Sequence, residues 1–387
     1  MNGPIRCPAC DGERVEDMAA LGPVPVLCGS LWDSREEALA TPSAELELVG
    51  CQECAHVWNS AFDPALVEYD AKYDNALDFS PVFNDYAQAL ADRLIDTFDL
   101  RGRDVVEIGS GKGEFLRQLC AAGDNRGVGY DPTYEGPEVD GTIRFVREFF
   151  TPSSAPEAVD FVSCRHVLEH LDDPSAFLLD VRKAVQDRPV PMYFEVPNAE
   201  FNFAETGPWD LIYPHVGYFS DTSLRALLER AGFQVDRVEP SFNGQFLSAE
   251  VHVAPAMAHA SHWDADHAST LARSYAAAIE RQLEETTRWR ERLHHLGEQG
   301  PIALWGAGSK GVTFLSLIDV ARQIATVVDA NPRKWHRYLP QVGHEIVAPR
   351  EIATRSVQSV LVMNPAYQSE IRDALRQSGA GAEVLVV

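Results

Sequence analysis

The chain has no long apolar run and little positive charge. None of its 387 residues lie in a stretch that approaches a membrane span, and the segment after Met1 lacks the apolar core of a signal peptide. Lysine and arginine total 33 against 58 aspartates and glutamates, which gives a formal net charge of −25. Nucleic acids and anionic membranes both require clustered cations. We therefore expect a cytoplasmic protein that binds neither nucleic acid nor membrane.

Disulfide bonds are not expected, because the seven cysteines are an odd number in such a chain. Four of them form two C-x-x-C pairs, Cys7 with Cys10 and Cys51 with Cys54. Two thiolates on a tight turn can face one ion, and two such pairs complete a tetrahedral zinc site with no position open for water. The spacing predicts a structural Zn²⁺ ion, with a redox pair as the alternative.

Residues 104–115 predict a ligand-binding turn between a strand and a helix. The apolar strand ends at the acidic Glu107, glycines follow at alternate positions beginning with Gly109 and Gly111, and a helical pattern starts at once. A Walker phosphate loop would need Ser or Thr after Lys112, but the chain has Gly113. The acidic residue also favours a cationic ligand over a pyrophosphate.

A second short strand ends in Asp131, whose carboxylate suits ribose hydroxyls. These two elements also fit a dinucleotide-binding domain. The third element, residues 159–171, is a strand that leads into His-Val-Leu-Glu-His. The motifs E-x-G-x-G-x-G, acidic strand end and x-x-L-E-H resemble those of the class I S-adenosylmethionine-dependent methyltransferases, over roughly residues 104–255.

That resemblance implies an α/β fold with a doubly wound, Rossmann-like sheet, and S-adenosyl-L-methionine as cofactor. The residues that it places at the cofactor are Glu107, Gly109, Gly111, Asp131, Pro132, Glu148 and His170. Glu107 is expected to orient the ammonium group of the cofactor, and Asp131 to bind its ribose. His166 and His170 lie four residues apart at an expected helix start, and no metal is assigned to them.

A second strand, glycine loop and helix unit begins at residue 301, and its loop includes Lys310. The cysteine pairs, the central motifs, W-G-A-G-S-K-G and V-D-A-N-P-R-K together resemble the three-domain, zinc-containing sugar C-methyltransferases. That family methylates nucleotide-linked deoxysugars in natural-product pathways. We expect Lys310 and its loop to hold an anionic group such as a substrate diphosphate, while an NAD site is the weaker alternative. Asn198 and Gln245 complete the expected substrate residues.

The expected chemistry is removal of a proton beside a ketone, followed by attack of the enolate carbon on the methyl group. The family pattern Y-x-E-H-x-x-Y-F-S is matched at His215, but Pro214 replaces its glutamate and the tyrosine is displaced to Tyr213. His215 could act alone as the base, because imidazole titrates near neutrality. Tyr213, Tyr73 and His166 are the other candidate catalytic residues.

Two other functions stay open. The missing glutamate favours an O- or N-methyltransferase of another small metabolite, and a zinc-stabilised binding protein without catalysis is the alternative of a different class. Neither the substrate nor a choice between monomer and homodimer follows from the sequence.

The length exceeds one ordinary domain, and no internal repeat divides it. The expected segments are a zinc-binding domain at 1–61, a helical arm over the cofactor site at 62–103, the methyltransferase core at 104–260, a connecting helix at 261–298, and a C-terminal Rossmann-like α/β domain on the substrate side at 299–387.

Overall fold

A computed structural model describes residues 5–67, 72–74, 76–186, 188–204, 206–254, 264–319 and 322–387. The strands in these ranges are β1 (Val15–Pro25), β2 (Ser43–Cys51), β3 (Val57–Asn59), β4 (Asp104–Ile108), β5 (Arg126–Tyr130), β6 (Val139–Asp140), β7 (Ile143–Val146), β8 (Phe161–Arg165), β9 (Pro191–Pro197), β10 (Gly217–Tyr218), β11 (Phe233–Ser241), β12 (Phe246–Val253), β13 (Ile302–Trp305), β14 (Ile324–Val328), β15 (Ile346–Val347), β16 (Ser359–Val362) and β17 (Glu383–Val386). The α-helices are α1 (Arg35–Leu39), α2 (Pro81–Phe98), α3 (Glu114–Gly123), α4 (Pro174–Ala184), α5 (Ala199–Ala204), α6 (Asp221–Arg230), α7 (Ala265–Gln299), α8 (Ser309–Leu317) and α9 (Gln368–Ser378).

The central sheet has the strand order β6-β7-β5-β4-β8-β9-β12-β11. Strands β7, β5, β4, β8 and β9 are parallel, and β12 and β11 close the sheet as an antiparallel hairpin. The chain reverses its direction of winding between β4 and β8, which is the point where doubly wound sheets bind ligands at the carboxyl ends of their strands. The predicted fold class is confirmed.

Local signals explain where the elements around this point begin. Ser80 caps α2 by accepting a hydrogen bond from the backbone N–H of Phe83, and Pro81 occupies the first turn. Helix α3 starts directly after Gly113, whose φ of +88° is unfavourable for a residue with a side chain. The sheet is therefore followed at once by a helix N-terminus.

The expected helix start at the two histidines is wrong. His166 has a φ of +55°, and residues Leu168–His170 form one 3₁₀ turn, while helix α4 begins at Pro174. Asp173 caps that helix by accepting a hydrogen bond from the N–H of Ala176. The Asp-Pro pair supplies both a cap and a first-turn residue, so the helix starts there.

The N-terminal sheet, ordered β1-β2-β3-β10, recruits a strand from the central part of the chain. Residues Gly217 and Tyr218 of β10 pair antiparallel with Trp58 and Val57 of β3. The segment that carries His215 is therefore attached to the cysteine-rich region. A boundary drawn at residue 61 does not separate this sheet from the rest.

The C-terminal sheet is fully parallel, with the order β15-β14-β13-β16-β17. Its own reversal of winding lies between β13 and β16. The 35-residue helix α7 connects β12, the last strand of the central sheet along the chain, to β13 of the C-terminal sheet. In the ranges given above, no helix is both long and apolar enough to cross a membrane.

Candidate active site

The glycine loop after β4 forms a cradle over a buried carboxylate. Gly109 and Gly111 have φ values of +75° and +54°, and a Cβ on Gly109 would lie 2.3 Å from the Val167 side chain. Glu107 is only 3 % exposed, and its Oε2 atom has no hydrogen-bond partner among the described residues. Burial raises the pKa of Glu107 to about 8. An ammonium group at the loop would supply the missing partner, so the site fits the amino-acid end of S-adenosylmethionine.

Asp131 fastens the loop to the end of β5. Its Oδ2 accepts a hydrogen bond from the Gly111 N–H at 2.8 Å, and its Oδ1 accepts from the N–H and hydroxyl of Thr133 at 2.8 and 2.6 Å. Pro132 lies half-buried beside it, and Glu148 is exposed after β7. If Asp131 binds the ribose of the cofactor, the ribose hydroxyls must compete with these hydrogen bonds or share them. Ribose binding by Asp131 stays a prediction, as does cofactor contact by Pro132 and Glu148.

A buried ionic network lies under the carboxyl ends of β8 and β9. Glu195 is fully buried and accepts hydrogen bonds from the Arg165 Nε and the Tyr193 hydroxyl, both at 2.9 Å, and from the hydroxyl of Tyr86 on α2. Burial alone would raise the pKa of Glu195, but Arg165 and His166 hold it well below its usual range. The carboxylate is therefore ionised and fixed.

His166 lies between two buried carboxylates. Its Nδ1 is 3.3 Å from Glu169 Oε1, and its Nε2 is 3.3 Å from Glu195 Oε1. Burial by itself would lower the pKa of His166, but the two carboxylates raise it to about 9. At neutral pH the ring is thus a cation, which makes it a poor candidate for a base.

His215 has the opposite protonation state. Burial lowers the pKa of His215 well below the usual range, and the neighbouring side chains His170, His166 and Lys310 act in the same direction. The ring of His170 lies against it with centroids 5.1 Å apart, and His170 Nδ1 bonds to the carbonyl of Pro214 at 2.8 Å. A neutral imidazole can accept a proton, so His215 is the better base of the two.

Tyr213 does not belong to this group of side chains. It is fully buried, and its hydroxyl accepts a hydrogen bond from the N–H of Asp63 at 2.8 Å and lies 3.4 Å from the carbonyl of Ala61. The suggested catalytic role is corrected to a packing role, because the hydroxyl is taken up by backbone groups. Tyr73 forms a backbone bridge with Ser30, and its ring packs over Gly29; its catalytic role stays a prediction.

The carboxyl ends of β9, in the central sheet, and β16, in the C-terminal sheet, lie close together. Asn198, at the end of β9, donates its backbone N–H to the carbonyl of Gln245 at 2.9 Å. The Gln245 side chain exchanges amide hydrogen bonds of 2.8 and 3.2 Å with Asn364, at the end of β16. Two of the expected substrate residues therefore lie where the sheets meet.

Lys310 makes a second link across this junction. Its Nζ lies 2.9 Å from Oδ2 and 2.8 Å from Oδ1 of Asp210. The loop before it has the form G-x-G-x-x-G, and a Cβ on Gly311 would lie 2.1 Å from the carbonyl of Gly306. The last glycine therefore permits close packing of helix α8 on β13. The present partner of Lys310 is a carboxylate in the 3₁₀ turn Pro208–Asp210, between α5 and β10.

The four predicted zinc ligands converge. The Sγ atoms of Cys7 and Cys54 are 3.6 Å apart, as are those of Cys10 and Cys51, and all four lie within 4.8 Å of one another. Sulfurs around a tetrahedral zinc with bonds of about 2.3 Å are separated by about 3.8 Å. The cluster therefore can hold a structural zinc ion.

Sequence reasoning missed three residues at the site, namely Glu169, Asp210 and Asn364. The Glu169 carboxylate lies within 4.8 Å of ring nitrogens of His170 and His215. Asp210 and Asn364 gain importance from partners about a hundred residues away. The sequence signal for Asn364 is its position two residues after β16, whereas Asp210, in the 3₁₀ turn Pro208–Asp210, has no such signal.

Comparison with known proteins identifies two regions. A model described as a methyltransferase domain matches residues 82–238, and one described as a C-methyltransferase C-terminal domain matches residues 247–387. A tRNA U34 carboxymethyltransferase from Dichelobacter nodosus (strain VCS1703A) is 31 % identical over 102 residues, which are 24 % of this chain. The chain spans 33 % of the length of that curated relative.

Several solved methyltransferases are similar to part of the chain. The Burkholderia thailandensis 1,6-didemethyltoxoflavin-N1-methyltransferase has 18 % identity and a TM-score of 0.36, covering 46 % of this chain and 83 % of its own. A methyltransferase from Aquifex aeolicus has 17 % identity and a TM-score of 0.35, with 46 % and 100 % covered.

The two matched models leave only residues 1–81 and 239–246 unassigned, and the first model spans both the glycine loop and the strand that leads into His166. The chain belongs to the class I S-adenosylmethionine-dependent methyltransferases and carries a C-methyltransferase C-terminal domain.

Proposed function

We propose that this enzyme transfers a methyl group to a carbon atom of a small keto substrate, with a nucleotide-linked sugar as the expected class. The observation that carries the proposal is the arrangement of the histidines: His166 lies 3.3 Å from two buried carboxylates, which raise its pKa, whereas His215 packs against His170 and has its pKa lowered by burial. Groups whose pKa values are driven apart in one site are typical of acid–base chemistry. The C-methyltransferase description of the C-terminal match supports carbon as the acceptor.

The cofactor, when bound, supplies a methyl group on a positively charged sulfur. The task of the chain is to turn a C–H bond of the substrate into a nucleophile. His215 takes the proton from the carbon beside the ketone, and the electron pair of that C–H bond forms the enolate. The cofactor, held by the glycine loop and Glu107, would supply its methyl group to the enolate carbon and would retain the electron pair of the broken bond on sulfur. His215 would then release its proton to solvent. Each step balances without an oxidant or reductant.

The C-terminal domain is proposed to bind the nucleotide end of the substrate. Lys310 and the N–H groups at the start of α8 suit a diphosphate, which would replace or share Asp210 as the partner of the lysine. The formal net charge of −25 argues against tRNA, the substrate class named for the curated relative.

A second candidate is O- or N-methylation of another metabolite. The observation that favours it is Pro214, which stands where the resembling family has a glutamate and offers only a carbonyl, already bonded to His170. Such a reaction needs one base and an aligned acceptor.

One experiment separates the two candidates. The purified chain is incubated in D₂O with S-adenosylhomocysteine and a panel of nucleotide-linked keto-sugars, and with S-adenosylmethionine in parallel. We expect deuterium beside the ketone in the first mixture and a product heavier by one methyl in the second. Methylation of an added metabolite without any exchange would favour the second candidate. If neither occurs with any keto-sugar, the proposed substrate class is wrong.

A further inference from the structure

Glu169 is a buried carboxylate whose hydrogen-bonding capacity is only partly used. It is 1 % exposed, and its Oε2 atom has no hydrogen-bond partner among the described residues. Its Oε1 atom is 3.3 Å from Nδ1 of His166. A carboxylate oxygen left without a partner in the interior is costly, so its persistence requires an explanation.

The Glu169 side chain lies close to the cationic His166 and to the two neutral histidines, His170 and His215. One Glu169 oxygen and one ring nitrogen each from His170 and His215 lie within 4.8 Å of one another. The carbonyl of Pro214 can only accept a hydrogen bond, so His170 Nδ1 carries the proton and its Nε2 holds a lone pair. Nδ1 of His215 is buried without a hydrogen-bond partner among the described residues. The group thus contains a base with an unpaired nitrogen and a carboxylate close to it.

Charge balance shows what the carboxylate can do. His170, His166 and Lys310 all disfavour a positive charge on the His215 ring. The carboxyl group of Glu169 is the acidic group beside that ring, with one oxygen within 4.8 Å of a His215 ring nitrogen. When His215 takes a proton from the substrate, its ring becomes a buried cation among these groups. A neighbouring carboxylate stabilises such a cation and orients the ring, as the third member of a catalytic triad does.

We propose that Glu169 is the positioning residue of the base, orienting His215 and stabilising the imidazolium that forms during proton removal. This inference rests on the proposed base-assisted methyl transfer. Two histidines and a carboxylate could also hold a divalent metal. The positive charges of His166 and Lys310 beside the group oppose a dication, so the positioning role is the better explanation.

The test compares Glu169→Gln with Glu157→Gln, a control on an exposed glutamate. We expect Glu169→Gln to lower the rate of deuterium exchange and kcat by roughly 100-fold, with KM little changed. Losing the negative charge also lowers the pKa of His215, so the acid limb of the pH–rate profile moves to lower pH. A residue with a packing role alone would not move that limb. Glu169→Asp keeps the charge but shortens the side chain, so its exchange rate and kcat should lie between those of Glu169→Gln and those of the control Glu157→Gln.

The histidine resonances provide a measurement that needs no turnover. In ¹⁵N-histidine spectra of the whole chain, Glu169→Gln should lower the pH at which His215 titrates, and Glu157→Gln should leave it unchanged. Unchanged titration and unchanged exchange in Glu169→Gln would overturn the inference. The inference would also be overturned if the wild type bound one Co²⁺ ion per chain in addition to the cysteine-bound metal, and Glu169→Gln no longer bound that ion. If the wild type exchanges no substrate deuterium, the proposed function fails, but the titration still decides the role of Glu169.

Discussion

The variant Glu107→Gln tests the buried carboxylate under the glycine loop. Glu107 is 3 % exposed, and burial raises its pKa from the model-compound value of 4.5 to about 8. The folded chain therefore holds a proton that the unfolded chain has already lost. Because the folded state binds more protons in this interval, the free energy of unfolding falls as pH rises from roughly 4.5 to 8. One proton corresponds to about 1.4 kcal/mol per pH unit, so the loss between roughly pH 5.5 and 7.5 is about 2.5 kcal/mol.

The glutamine keeps the shape of the side chain but cannot ionise, so this part of the pH dependence should disappear. The assay is urea unfolding of wild type, Glu107→Gln and the surface control Glu157→Gln at several pH values. Comparing the three proteins at each pH cancels the contributions of all other titrating groups to the free energy of unfolding. Binding of S-adenosylhomocysteine should release a proton from wild type near neutral pH, because its ammonium group favours the carboxylate form. Calorimetry in buffers of different ionisation enthalpy measures that release. Affinity for this ligand should fall roughly tenfold or more in Glu107→Gln.

Either of two results would refute this reasoning. If Glu107→Gln and Glu157→Gln lose stability equally as pH rises, Glu107 is not protonated in the folded chain. If Glu107→Gln binds S-adenosylhomocysteine as tightly as wild type, the carboxylate does not meet the ammonium group.

Three further predictions concern zinc, the base and the substrate. Cys10→Ser should reduce the zinc content measured by elemental analysis from one ion per chain to near zero and lower the melting temperature, whereas the buried non-ligand Cys28→Ser should keep its zinc. His215→Asn should lower kcat by roughly 10² to 10⁴-fold in product assays, and Tyr213→Phe should retain most activity because its hydroxyl meets only backbone groups. Lys310→Met should raise KM for a nucleotide-linked substrate at least roughly tenfold with little change in kcat, and an unchanged KM would exclude the diphosphate role.

The sequence was sufficient where a feature is encoded by residues close together in the chain. The turn at Gly109 and Gly111 and the cysteine pairs depend on backbone preferences or spacings within a few residues, and the structure contains both. The motifs in residues 104–171 resemble those of the class I methyltransferases, and that resemblance implied the doubly wound sheet that the structure contains.

Only the tertiary structure decided which polar side chains meet. Glu169 lies beside His215 because the turn after β8 packs against a segment 44 residues later, fixed by the bond from His170 to Pro214. That segment is in turn paired through β10 with β3 of the N-terminal sheet, which no local pattern indicates. Tyr213 was expected at the reaction centre, yet the same packing directs its hydroxyl to the backbone near Ala61. The physical reason is that backbone preference acts over a few residues, whereas charge pairing and burial depend on contacts between segments far apart in the chain.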